Sequence, residues 1–157
     1  MTAVPLVDLQ TQHRQIAEEV ERGFARVMAS ASFIMGAEVV AFEQAFAAFS
    51  GVRHCVGVAS GTDALELMLR AVGIGAGDEV ILPTNSFIAT ALAVVRAGAR
   101  PVLVDCDPDF HLIDVEQVAR AVGPRTRAIL PVHLYGQAAP MERLRAVAEA
   151  RDRKSVV

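Results

Sequence analysis

The chain is 157 residues long, 53% hydrophobic and 21% charged, with a formal net charge of −3. That apolar content lets it bury a core and excludes wholesale disorder, and its acidic balance excludes a nucleic-acid binder, which needs a basic face. No apolar run reaches the roughly 20 residues of a membrane helix, and residues 1–10 lack the basic-then-apolar pattern of a secretory signal, so a cytoplasmic setting without a membrane partner is expected.

In chain order, residues 8–30 read as an amphipathic helix, because Ile16, Val20, Phe24 and Val27 recur at spacings of three and four. Phe33-Ile34-Met35-Gly36 interrupts it. A second helix carries Val39, Phe42, Phe46 and Phe49 on one face, and Gly51 stands just past its end as a C-cap glycine. From residue 54 short apolar runs alternate with helical stretches. Residues 55–59 are expected as a strand, 62–72 as a helix, 73–78 as a glycine-rich turn and 80–82 as a strand closed by Pro83. A helix over 86–97 should end at Gly98, followed by a strand over 101–104 and a turn over 105–109. Asp114 with Gln117 looks like a capping box opening a helix to about Val122. A strand over 127–131 and a helix begun by Pro140 complete the pattern. Cys55 and Cys106 lie far apart in apolar segments and are read as reduced core residues, not metal ligands.

Alternating strands and helices imply βαβ units and a mostly parallel sheet with helices on both faces. Ligands of such sheets collect at the carboxyl ends of the strands. Ser60-Gly61-Thr62-Asp63 joins an expected strand to a helix. Gly61 permits close backbone approach, Thr62 offers a hydroxyl, and the first helical turn presents unpaired N–H groups, which together suit a phosphate. The same residue types also make an ordinary N-cap. It is not a P-loop, since no Gly-Lys-Ser/Thr follows, nor a dinucleotide fingerprint. Phe87, at the next strand-to-helix turn, either stacks on a flat ring or belongs to the core. His133, Tyr135 and Gln137 follow a later strand and line a pocket or serve the loop itself.

These pieces, with Phe33-Ile34-Met35-Gly36-Ala37-Glu38, Gly77-Asp78-Glu79-Val80-Ile81-Leu82-Pro83, Gly98-Ala99-Arg100-Pro101-Val102, Pro124-Arg125-Thr126-Arg127 and Pro131-Val132-His133-Leu134-Tyr135-Gly136-Gln137, resemble in order and spacing the DegT/DnrJ/EryC1/StrS family. The resemblance implies part of a fold-type-I aminotransferase large domain, dependent on pyridoxal 5′-phosphate and working as a homodimer. Its substrates would be a nucleotide-linked keto-sugar and an amino-acid donor. By position, Thr62 and the backbone around Gly61 and Asp63 would hold the cofactor phosphate, and Phe87 would stack on the pyridine ring. His133, Tyr135 and Gln137 would approach cofactor or substrate.

The family's later landmarks would lie past Arg151: an aspartate for the pyridinium nitrogen, a serine for the phosphate and the Schiff-base lysine. The only lysine here is Lys154, far too early and without the flanking motif, so this polypeptide is expected to be inactive as a transaminase. Residues 152–157 can be encoded by GAT CGG AAG AGC GTC GTG, the string of a widely used sequencing adapter, and are expected to be an artefact of it. The organisation expected is therefore an N-terminal helical segment over 1–53, an incomplete α/β cofactor-binding domain over 54–151, and that tail. A sugar dehydratase of the same family, with histidine for the lysine, and a non-catalytic regulatory relative are the alternatives.

Overall fold

A computed structural model describes residues 4–150 and the backbone of residues 154–155. The remainder of the expected tail lies outside the described residues. The chain divides into two compact units, residues 1–57 and 58–157.

The first unit holds two helices. Helix α1, Leu9–Ser30, opens at Asp8, whose carboxylate accepts from the Thr11 N–H (3.1 Å) and hydroxyl (2.6 Å). Helix α2, Ala37–Phe49, ends in paired turns: Gly51 N–H donates to the Ala48 carbonyl and Val52 N–H to Ala47. The Arg26 guanidinium grips both Glu38 carboxylate oxygens, at 2.7 and 3.2 Å, across the break between the helices. The expected apolar faces exist but are largely uncovered: Ile16, Val20 and Phe24 are exposed, as are Phe42, Phe46 and Phe49, whose rings follow one another along α2, the first pair stacked and the second tilted.

The second unit is an α/β layer structure. Helix α3 (Gly61–Ala71) precedes strand β1 (Glu79–Pro83), helix α4 (Ile88–Arg96), strand β2 (Arg100–Val104), helix α5 (Val115–Ala121), strand β3 (Thr126–Ile129), a 3₁₀ turn (Leu134–Gly136), helix α6 (Met141–Glu149) and a two-residue strand β4 (Lys154–Ser155). All strand pairs are parallel, in the order β2-β1-β3-β4. β1 is central and buried along its whole length, as a strand covered on both faces should be. Its side chains alternate between two cores. Val80 and Leu82 pack with Leu69 of α3 and Ala93 and Val94 of α4; Ile81 packs with Val115 and Val118 of α5 and Leu144 of α6.

Three expectations need correction. Residues 55–59 are not a strand: they pair with no other strand, and Val56 stands 76% exposed. An extended segment needs a ladder partner for its backbone groups, and none of the described strands supplies one. The capping box is only half made. Asp114 does accept from the Glu116 (2.8 Å) and Gln117 (3.2 Å) N–H groups, but the Gln117 side-chain oxygen accepts from Asp105 N–H instead of returning to the cap's backbone. Pro140 occupies the N-cap of α6 rather than its first turn.

Candidate functional site

The topology creates a crevice. From β1 the chain leaves to α4 on one face, whereas from the adjacent β3 it leaves to α6 on the other. Such a divergence between neighbouring parallel strands opens a ligand site at their carboxyl ends. The loop after β1 carries Phe87, and the loop after β3 carries His133, Tyr135 and Gln137.

Helix α3 brings the first candidate loop to the same end. Its C-terminus meets that of α4, where the Arg70 guanidinium donates to the Arg96 carbonyl, so both helices present their N-termini together. Ser60 is extended and caps α3: its hydroxyl accepts from Asp63 N–H at 3.2 Å and donates to the Asp63 carboxylate at 2.9 Å. That leaves the N–H groups of Gly61 and Thr62 pointing out of the helix end without an intrahelical acceptor. A Cβ on Gly61 would meet nothing within 4 Å, so the approach to these donors is open. Asp63 is otherwise engaged, since its carboxylate also faces Arg96 at 3.6 Å. The Asp63 side chain thus holds the loop rather than presenting an acceptor to it.

Phe87 is the N-cap residue of α4, in extended conformation, and its ring is 78% exposed. Among the described residues the Phe87 side chain is therefore not part of the core. Behind it the Ser86 and Thr90 hydroxyls bond at 2.6 Å across the first helical turn. In the loop after β3, His133 Nδ1 accepts from Ala139 N–H at 2.9 Å, which leaves Nε2 as the free nitrogen and places the neutral ring's proton there. Tyr135 sits in the left-handed region (φ 56°, ψ 32°) and is 72% exposed. A bulky residue in that conformation costs on the order of 1–3 kcal/mol and is retained where its surroundings impose it. Gln137 is tied down: its amide donates to the Phe110 carbonyl at 3.3 Å.

Sequence reasoning missed what binds these loops together. The hairpin between β2 and α5, closed by a bridge between Cys106 and Ile113, receives Gln137 at Phe110 and the Asn85 amide at the His111 carbonyl (3.3 Å). A cleft of about 590 Å³ opens beside the hairpin, lined by Phe110, Ile113, Glu116, Gln137, Pro140 and Arg143 among others. Of the expected site residues only Gln137 borders it; Thr62 and Phe87 do not. Among the described residues no cluster of histidine, cysteine and carboxylate side chains is arranged to hold a metal.

Solved structures define the class. The fold superposes on Streptomyces venezuelae DesV with a TM-score of 0.93 at 44% identity, covering 99% of this chain and 42% of that one. It also superposes on NtdA of Bacillus subtilis, solved with bound PMP, with a TM-score of 0.91 at 33% identity over 99% of this chain and 36% of that one. This is the α/β architecture of the fold-type-I aminotransferases, present in part. The chain belongs to the DegT/DnrJ/EryC1/StrS aminotransferase family, whose profile matches residues 14–154. A UDP-N-acetyl-3-dehydro-α-D-glucosamine 3-aminotransferase of Acidithiobacillus ferrooxidans is 49% identical over 148 residues, 94% of this chain and 40% of that protein. The chain thus spans about 40% of the length of such relatives.

Proposed function

We propose that the chain supplies the phosphate-binding and ring-stacking part of an aminotransferase that uses pyridoxal 5′-phosphate to aminate a nucleotide-linked keto-sugar. The observation that carries this is the convergence of two open helix N-termini at the carboxyl end of the sheet, one with bare N–H donors at Gly61 and Thr62 and one with the exposed Phe87 ring. The first fits a phosphate dianion, because the helix end offers unpaired donors and a favourable dipole. The second fits a flat heteroaromatic ring. The cofactor would supply the electron sink for moving an amino group between donor and sugar.

Each protein group has a bounded role. Gly61 and Thr62 N–H, with the Thr62 hydroxyl, would hold phosphate; Ser60 and Asp63 keep that turn in shape. Phe87 would orient the ring. His133 and Tyr135 stand in the loop that follows β3, and the free Nε2 and the Tyr135 hydroxyl would meet cofactor or substrate there. Schiff-base chemistry requires a lysine, and a whole protein of this family would provide it beyond the residues present here. The whole protein is expected to be a cytoplasmic homodimer, with an amino acid as the donor.

The test is titration of this chain with pyridoxamine 5′-phosphate, followed by its fluorescence. Binding that competes with inorganic phosphate and is lost in Thr62→Val supports the reading. Binding indifferent to Thr62 and Phe87 sinks it. Sequencing the source DNA past the codon for Arg151 tests the whole-protein proposal. An aspartate-bearing strand and then a lysine preceded by a serine sustain the aminotransferase. A histidine in place of the lysine transfers the proposal to a dehydratase.

A further inference from the structure

The loops after β1 and β3 diverge to opposite faces of the sheet, and no backbone hydrogen bond joins one to the other among the described residues. What connects them is the hairpin of residues 106–113. Asn85, two residues before Phe87, gives its side-chain N–H to the His111 carbonyl; Gln137, two residues after Tyr135, gives its own to the Phe110 carbonyl. The two acceptors are consecutive carbonyls of one strained turn, in which His111 is left-handed (φ 58°).

The turn is held from within. The Asp107 carboxylate accepts from Asp109 N–H (3.0 Å) and Phe110 N–H (2.9 Å), and His111 N–H donates to the Asp107 carbonyl (2.9 Å). Its base is anchored by the Asp107–Leu112 and Asp114–Asp105 backbone bonds and by Gln117 on Asp105 N–H. A short turn braced this way moves as one piece, so a shift imposed at the Phe110 carbonyl is felt at His111.

We infer that Asn85 and Gln137 are positioning residues that register the Phe87 loop against the Tyr135 loop through the Asp107-centred turn. Neither side chain is assigned contact with cofactor or substrate. Asn85 and Gln137 act on the ring-binding side of the crevice by setting where Phe87 and Tyr135 stand relative to each other. The part of this inference that concerns cofactor rests on the function proposed above; the coupling of the loops does not.

The substitutions Asn85→Asp and Gln137→Glu keep shape but remove the donor and set a carboxylate against the carbonyl. Hydrogen–deuterium exchange on the chain without ligand reads the coupling. Asn85→Asp should speed exchange in residues 132–139 as well as in its own loop, and Gln137→Glu should speed it in residues 84–90, with the sheet core unchanged. An effect confined to the substituted loop overturns the inference whether or not any cofactor binds. Gln137→Met, neutral and also without a donor, guards against an effect of charge alone and should act in the same direction; a Gln137→Met chain that exchanges like the parent overturns the inference. With ligand, each variant should weaken pyridoxamine 5′-phosphate about fivefold, the worth of one neutral hydrogen bond. The competition constant of inorganic phosphate should hold, because the α3 N-terminus is untouched. Equal weakening of both ligands overturns the positioning role, while loss of all binding in the parent chain counts against the cofactor reading and leaves the exchange result to decide.

Discussion

The two ends of strand β1 are built in opposite ways. At its amino end every strong group is paired. Glu79, 7% exposed, accepts from Arg100 at 2.5 Å and Arg125 at 2.8 Å, so one carboxylate ties the starts of β1 and β2 to the turn before β3. The incoming turns are closed by Gly73 and Gly98, both at positive φ, where a side chain would be strained. At the carboxyl end the groups are left open: bare N–H donors at α3, an exposed phenylalanine, a tyrosine in a left-handed conformation. Paired groups are concentrated at one end of the sheet and open groups at the other, and whether stability and the proposed binding divide the same way can be tested by perturbing each end and reading both properties.

The largest effect should come from the core that both ends share. Leu82, 1% exposed, lies under α3 and α4, and Leu82→Ala should cost about 3 kcal/mol in a denaturant titration, with ligand binding lost alongside stability. If binding survived that loss intact, the site would not depend on the sheet beneath it. Thr126, fully buried at the amino end, accepts from Gly123 N–H at 2.9 Å. Thr126→Val should cost about 1–2 kcal/mol by stranding that N–H, and leave pyridoxamine 5′-phosphate binding unchanged. Phe87→Ala should do the reverse: stability within about 0.5 kcal/mol of the parent, and binding weaker by about five- to tenfold. A Phe87 variant that unfolds easily, or a Thr126 variant that binds poorly, breaks the division.

Legibility in the sequence followed the range of the interaction. Caps are local, so Ser60, Asp114 and the glycines after α2, α3 and α4 marked element ends to within a residue or two. The helical stripes of α1 and α2 were legible as patterns, but a pattern does not say what covers it, and Phe24 and Phe49 are 66% and 86% exposed. The failed strand over 55–59 has the right residues and lacks a partner, which is a property of distant sequence. Phe87 was legible because strand, turn and helix signals placed it at a carboxyl end. The Asn85 and Gln137 bonds join residues 26 and 27 positions apart and leave no local trace. Nothing local marks Glu79; its burial between two arginines required the fold.

The smallest effect expected is the acid response of that clamp. The Arg100 guanidinium, bonding to Glu79, is the main cause holding its carboxyl below the usual glutamate range; burial opposes this, and Arg125 adds to the lowering. A carboxylate whose folded-state pKa is depressed adds stability at pH values above its unfolded value, and loses it as pH falls through the folded one. The contribution should therefore be complete at neutrality and fade below about pH 4. Both arginine side chains are about two-thirds exposed, at 64% and 65%, so solvent screens the pairs and the effect is modest. Glu79→Gln should lower the thermal midpoint at pH 7 and flatten its dependence between about pH 5 and 3, measured at low salt, where screening is least. If the parent and the Glu79→Gln chain lose stability in parallel on acidification, other carboxylates carry the response. Asp114, lowered chiefly by its bond from Gln117 N–H, is the next to replace. It lies beyond β2, toward the carboxyl end, so an Asp114-dominated response would move the acid-sensitive point to the opposite end of the sheet and overturn the division drawn from β1.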